Sequence, residues 1–224
     1  MEPLGNILPI YFVADESYSM SPHVGELNDG LSSLLDALHL QPMGAAKVRF
    51  CMIGFSDFAE CHLEPADLRY VEVMPQLSAR GSTSYTAAFR ELRSRIPHDI
   101  AQLKADGYLV NRPAVFFLTD GAPNPGDGWE QAHAELVGPE FGQRPNILAF
   151  GIGDAVQQVI REVATTPEYA FVAAAGTYTG VAVAEFAKAL TRSVISSAQA
   201  LADGDSSLPV EKPEGFISLS VDPM

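Results

Sequence analysis

Apolar residues fall along this chain in two rhythms: unbroken runs that suit strands buried on both faces, and stripes at three- and four-residue steps that suit helices. The first run, about residues 7–14 in "ILPIYFVAD", predicts a buried strand. "VGELNDGLSSLLDALHL" then sets Val24, Leu27, Leu31, Leu34, Leu35 and Leu38 along one helical face. "KVRFCMIGFS" and "AECHLEP" read as two strands, and the turn between them is too short for a helical crossover, so they pair antiparallel. "STSYTAAFRELRSRI" opens on capping hydroxyls and predicts a helix that Pro97 interrupts, with a second helical piece running to about Gly107.

The same alternation continues. "PAVFFLTD" is a second apolar run ending in an acid, "GWEQAHAELV" a short helix, "NILAFGIG" a buried strand, "AVQQVIREVA" a helix, "YAFVAA" a last strand and "GVAVAEFAKALTRSVISSAQAL" a closing helix. Strands and helices in turn predict an α/β fold, a doubly wound (Rossmann-like), mainly parallel six-stranded sheet with one antiparallel edge strand and helices on both faces. The domain is expected over residues 1–200. Residues 201–224, rich in Gly, Pro and Ser, read as a tail without a core of its own, whose Phe216, Ile217 and Leu219 either strap it to the domain or offer a docking segment.

Composition narrows the function classes. The chain has 224 residues, 47% of them hydrophobic and 19% charged, as expected of one globular domain. With 14 basic against 28 acidic residues its net charge is −14, which disfavours nucleic acid and anionic membrane and favours cations and basic partners. The N-terminus shows neither a basic segment followed by a signal-length apolar one nor any span of membrane length, so the expected location is the cytoplasm. Cys51 and Cys61 flank the "FSDF" turn and can face each other across a hairpin, but are expected as free core thiols.

Both apolar runs end in a carboxylate, Asp15 and Asp120. Ligands of doubly wound sheets sit outside the carboxyl ends of the strands where strand order reverses, and these two acids end the strands that would flank that crevice. After Asp15 come Ser17 and Ser19 at alternate positions, which an extended backbone sends to one side while Glu16 and Tyr18 face elsewhere. Such an oxygen set suits a hard divalent cation, and neither cysteine nor any clustered pair of histidines lies in these loops for a soft one. A further oxygen is offered by Thr83 in "RGSTSYTAAF". The expected ligands are Asp15, Ser17, Ser19, Thr83 and Asp120, with Tyr18, Tyr85 and Trp129 as a candidate aromatic rim for a partner. For Trp129 the competing expectation is that it packs its helix against the sheet. Glu16 is expected as a solvated loop residue.

"DESYSM", the "GST" of residues 81–83 and the "TDG" of residues 119–121 resemble, in order and on the right elements, the three pieces of the metal-ion-dependent adhesion site of von Willebrand factor A domains. The resemblance runs over about residues 5–200, and "FFLTDGAPNPGDGW" is similar to stand-alone bacterial members encoded with tellurium-resistance genes. It implies one bound cation, Mg²⁺ with Mn²⁺ or Ca²⁺ as substitutes, completed by an Asp or Glu of a protein partner. It further implies a bacterial stress-response setting beside a kinase and a phosphatase. Tyr18 stands where many bacterial members have Gly, Ser82 replaces the second Gly of the "GGT" form, and "SPHVGE" lacks the acids of neighbouring calcium sites.

Two other functions stand against this one. A strand-ending Asp serves as nucleophile in haloacid-dehalogenase-type phosphatases, but those carry a second Asp where this chain has Ser17. No G-x-S-x-G elbow or phosphate loop is present, and "GIGD" lacks the third glycine of a dinucleotide fingerprint. A metal-free scaffold of the same fold is the other alternative. The reading favours a non-enzymatic, metal-dependent protein-binding module.

Overall fold

In a computed structural model, which describes residues 3–205 and 207–220, the opening apolar run forms β1 (Asn6–Asp15) at the centre of the sheet. The chain continues through α1 (Val24–His39), α2 (Pro42–Ala45), β2 (Val48–Phe55), β3 (Ala59–Ala66), α3 (Tyr85–Ala105) and the two-residue β4 (Leu109–Val110). It then runs through β5 (Ala114–Thr119), α4 (Trp129–Val137), β6 (Asn146–Gly151), α5 (Gln157–Val163), β7 (Ala170–Ala173), α6 (Thr179–Ala202) and β8 (Phe216–Ser218). Strand order is β3-β2-β1-β5-β6-β7-β8, with β4 paired to β1; β3 and β8 are antiparallel to their neighbours and the rest are parallel. Among the described residues no helix is long and apolar enough to cross a membrane.

Both faces of the sheet are covered, which is why its strands are apolar without alternation. Ile10, Phe12 and Ala14 of β1 face the layer of α1 and α6, whereas Tyr11 and Val13 face that of α3, α4 and α5. The first layer closes at a tight crossing, where a Cβ on Gly30 of α1 would come within 2.3 Å of the Ala187 Cβ of α6.

Three expectations change. The sheet gains two strands beyond the predicted six, the short β4 beside β1 and β8 from the tail, which folds back and makes the second edge antiparallel as well. Phe216 is buried as β8 pairs with β7, and Leu208 and Val210 pack on the α1–α6 side. Of the predicted tail over 201–224, Ser206 and residues 221–224 lie outside the described residues. Pro97 does not interrupt its helix: α3 runs unbroken from Tyr85 to Ala105. A mid-helix proline costs about 3 kcal/mol, but Leu92 and Ile96 before it and Ile100 and Leu103 after it are all buried on one face. Each such side chain contributes about 1.5–3 kcal/mol, so burial of both halves outweighs the lost hydrogen bond.

Strand order reverses between β1 and β5, since β2 follows β1 on one side and β6 and β7 follow β5 on the other. The carboxyl ends of β1 and β5 therefore border the crevice.

Candidate metal centre

Asp15 is the last residue of β1, still in register with Phe55, and Glu16 N donates to Phe55 O at 2.7 Å before the chain leaves the sheet. Ser17 is extended, and the next three residues, Tyr18–Met20, coil into one 3₁₀ turn that buries Met20. The loop is thus not extended throughout, as alternate spacing predicts, yet the hydroxyls converge. Ser17 N donates to Asp15 Oδ1 at 2.8 Å, and the Ser17 and Ser19 Oγ atoms are 2.9 Å apart. Ser19 Oγ donates across to Asp120 Oδ1 at 2.7 Å.

Asp120 follows the end of β5, and Thr119 beside it donates from Oγ1 to Asp15 Oδ2 at 2.7 Å. The third loop is pulled in from both sides. Gly81, at φ +63°, accepts from Tyr18 N at 3.1 Å through its carbonyl, a backbone conformation that favours glycine. Thr83 N donates to Asn124 Oδ1 at 3.1 Å, and Asn124 N returns a bond to Thr83 O at 2.9 Å. Thr83 is buried, and Ser84 caps α3 by accepting from Ala87 N. Sequence reasoning missed Thr119 and Asn124. The "TDG" and "APN" steps around Asp120 offered hydroxyl and amide groups within four residues, and that was the available signal.

Asp15 is 1% and Asp120 6% exposed, and among the described residues neither has a salt-bridge partner. Burial pushes the Asp15 carboxyl up to about 6, against the pull of the bonds from Ser17 and Thr119. Burial also raises Asp120, opposed by the bond from Ser19. Two buried acids with no salt bridge among the described residues, lined by hydroxyls, fit a hard divalent ion. Among the described residues no three Asp, Glu, His or Cys side chains gather to hold a metal, so any cation here would draw on the hydroxyls as well.

The rim is corrected at two of its three positions. Tyr85 is fully buried, packed edge-on to Phe55, Phe117 and Trp129, and its hydroxyl donates to Gly121 O at 2.9 Å. Trp129 is buried at the start of α4, as the packing alternative expects, but its aromatic neighbours Tyr85 and Phe89 belong to α3 and not to the sheet. Tyr18 alone of the three is exposed, at 73%. Glu16 is also corrected: it is fully buried, accepting from Ser78 N at 2.8 Å through Oε1, with Oε2 at 3.1 Å from His62 Nε2 and 3.5 Å from Arg80 Nη2. The apolar strand before it gave no hint that an acid would be drawn inward by a histidine and an arginine far along the chain.

No family model matches the chain, and no curated protein matches it in sequence. Solved structures do match. Proximal thread matrix protein 1 from the mussel byssus, in a form with a zinc-occupied MIDAS motif, superposes with TM-score 0.58 at 19% identity, over 88% of this chain and 47% of that one. The pilus adhesin SpaC from Lactobacillus rhamnosus GG does so with TM-score 0.64 at 14% identity, over 87% and 31%. A von Willebrand factor type A structure from Catenulispora acidiphila gives TM-score 0.54 at 14% identity, over 85% and 43%. This chain therefore spans less than half the length of each. Together with the sheet order and the flanking helices, these likenesses give the chain the Rossmann-like fold of von Willebrand factor A domains.

Proposed function

We propose that this chain is a metal-dependent protein-interaction module without enzymatic activity, in which Asp15, Ser17, Ser19, Thr83 and Asp120 hold one divalent cation. The observation that carries this reading is the bond from Ser19 Oγ to Asp120 Oδ1 at 2.7 Å, which joins two loops over a pair of buried carboxylates that form no salt bridge among the described residues. Mg²⁺ suits three neutral hydroxyls and two acids, which roughly balance its charge. When bound, the cation supplies a position that an Asp or Glu of a partner protein can occupy. The chain's own part is to hold the three loops in place: Thr119 orients Asp15, Asn124 holds the Thr83 backbone and Gly81 anchors the Tyr18 backbone.

Zinc in the MIDAS motif of the mussel protein supports a divalent ion in this fold. The stress-response setting, in a tellurium-resistance-type system, rests on the sequence likeness of residues 116–129. Isothermal titration with Mg²⁺ and with Mn²⁺ tests the core of the reading. Heat of binding that Asp15→Ala abolishes is expected; no heat from either ion in the unaltered chain overturns it.

A further inference from the structure

Cys51 of β2 and Cys61 of β3 lie on adjacent antiparallel strands, both free, with Sγ atoms 3.9 Å apart. They are the only two cysteines in the chain. We propose that this pair is a thiol-oxidation site, at which a hydroperoxide converts Cys51 and Cys61 into a cross-strand disulfide.

Closing the bond requires the sulfurs to approach to about 2 Å. The strand that must yield is able to. β3 is the sheet edge, and its register against β2 slips twice, between Phe50 and Met52 and again between Met52 and Ile53. A strand already bulged at the cysteines can shift locally without dismantling the central sheet.

The two thiols have unequal access and unequal electrostatics, which assigns them different parts. Cys51 is fully buried, whereas Cys61, on the edge strand, packs on the same layer but is only half-buried and meets an oxidant first. The contact with the Cys51 sulfur holds Cys61 below the ordinary thiol range against the effect of burial, and the Arg95 guanidinium pulls the same way against Glu64 and Glu91. Cys51 is raised by the same contact and by burial. The thiolate is the nucleophile, so Cys61 attacks and Cys51 resolves.

Cys61 sulfur displaces hydroxide from the peroxide: a sulfur–oxygen bond forms, the oxygen–oxygen bond breaks, and hydroxide takes up the thiol proton as water. Cys51 sulfur then attacks the Cys61 sulfenic acid, forming the disulfide as water leaves with the second thiol proton. Two thiols and one hydrogen peroxide give one disulfide and two waters, and the two electrons pass from sulfur to oxygen.

The full chain, treated with hydrogen peroxide in the presence of EDTA, is to be denatured and its thiols counted alongside intact mass and peptide mapping. The expected result is a fall from two titratable thiols to none, a mass loss of two hydrogens, a peptide link between Cys51 and Cys61 in a monomer, and recovery of both thiols with dithiothreitol. The Cys51→Ser variant, unable to resolve, is expected to carry a sulfenic acid on Cys61 that dimedone traps. The unaltered chain decides the matter even if that variant does not fold. Two thiols left intact, oxygen added to Cys61 with Cys51 still free, or a dimer bridged through Cys61 would each overturn the proposal.

Discussion

Glu16 Oε2 lies 3.1 Å from His62 Nε2 although Glu16 follows the end of β1 and His62 sits in the middle of β3, and a Cβ on the intervening Gly54 would stand 2.0 Å from that same oxygen. The arrangement depends on two irregularities. The second register slip in β3 leaves His62 without a partner in β2 and free to turn toward Glu16. Gly54 leaves the space that the carboxylate fills. Because Glu16 also binds Ser78 N and Arg80, it ties the loop after β1 to the loop before α3. Removing the buried acid leaves Ser78 N and His62 without their acceptor and costs about 1–3 kcal/mol. Glu16→Ala is expected to lose stability of that order in urea unfolding, and Gly54→Ala to lose stability with it by expelling the carboxylate. A Glu16→Ala variant as stable as the parent would show that the contacts are incidental.

Asp15→Asn separates the metal reading from a purely structural one. The Asp15 carboxylate is buried without an ion-pair partner, so the amide removes a desolvated charge while keeping the shape of the side chain. In EDTA the variant is expected to melt at the same temperature as the parent or above it. On adding Mg²⁺ the parent is expected to gain in melting temperature and the variant not to gain, since binding stabilises only a folded state that holds the ion. Equal Mg²⁺ shifts in both proteins would exclude Asp15 as a ligand.

The strands and the loop oxygens were legible in sequence for the same reason: each is a local signal. An apolar run ending in Asp15 or Asp120 states both a buried strand and the position of its end, and a strand's end is where the fold places ligands. What escaped depended on long-range partners. Nothing around Glu16 announces that His62 and Arg80 arrive beside it, and Tyr85 and Trp129 carry polar atoms that read as surface until the cluster of Phe55, Phe89 and Phe117 encloses them. Pro97 was a strong local signal outweighed by burial on both sides of it. The three residues of β8 are too few to show a period and needed the open edge of β7 to become a strand.

His133 should make acid stability fall. Its ring packs against Phe89 and Trp129, Nε2 lies 2.8 Å from Val163 O, and burial holds its pKa below the ordinary histidine value. A histidine depressed on folding stabilises above its unfolded pKa of about 6.5, and that stability is lost as pH falls through the lower folded value. Denaturant unfolding of the parent is expected to weaken as pH is lowered below about 6.5, and His133→Gln is expected to flatten that limb of the curve. An unchanged pH profile in the variant would assign the acid limb to other groups.

Phe216 makes the tail part of the core. It is 4% exposed, its ring meets Phe150 edge-on at 6.4 Å, and Leu219 N donates to Ala170 O at 2.8 Å just beyond it. Truncating a buried phenylalanine costs about 3–5 kcal/mol. Phe216→Ala is expected to lie at the lower end, because an edge strand of three residues can give way, and deletion of residues 208–224 is expected to do at least as much damage. A deletion that left urea unfolding unchanged would mean that the tail does not hold the sheet.

On the proposed reading, Tyr18 meets a partner without supporting the fold. Its backbone is fixed, N donating to Gly81 O at 3.1 Å and O accepting from Ser21 Oγ at 2.7 Å, while its ring is 73% exposed beside Ser17 and Ser19. A fixed backbone lowers the entropy lost when an aromatic side chain is covered, and tyrosine is enriched among the residues that dominate binding. Since nothing buried depends on the ring, Tyr18→Ala is expected to change stability by less than about 0.5 kcal/mol. Its Mg²⁺ titration should match that of the parent, because the hydroxyls and carboxylates are untouched. Capture of protein from the native cell in Mg²⁺, compared with EDTA, is expected to fall for the variant by at least about tenfold in affinity, the equivalent of 1.4 kcal/mol. Undiminished capture together with normal metal binding would move the partner's contact away from this loop.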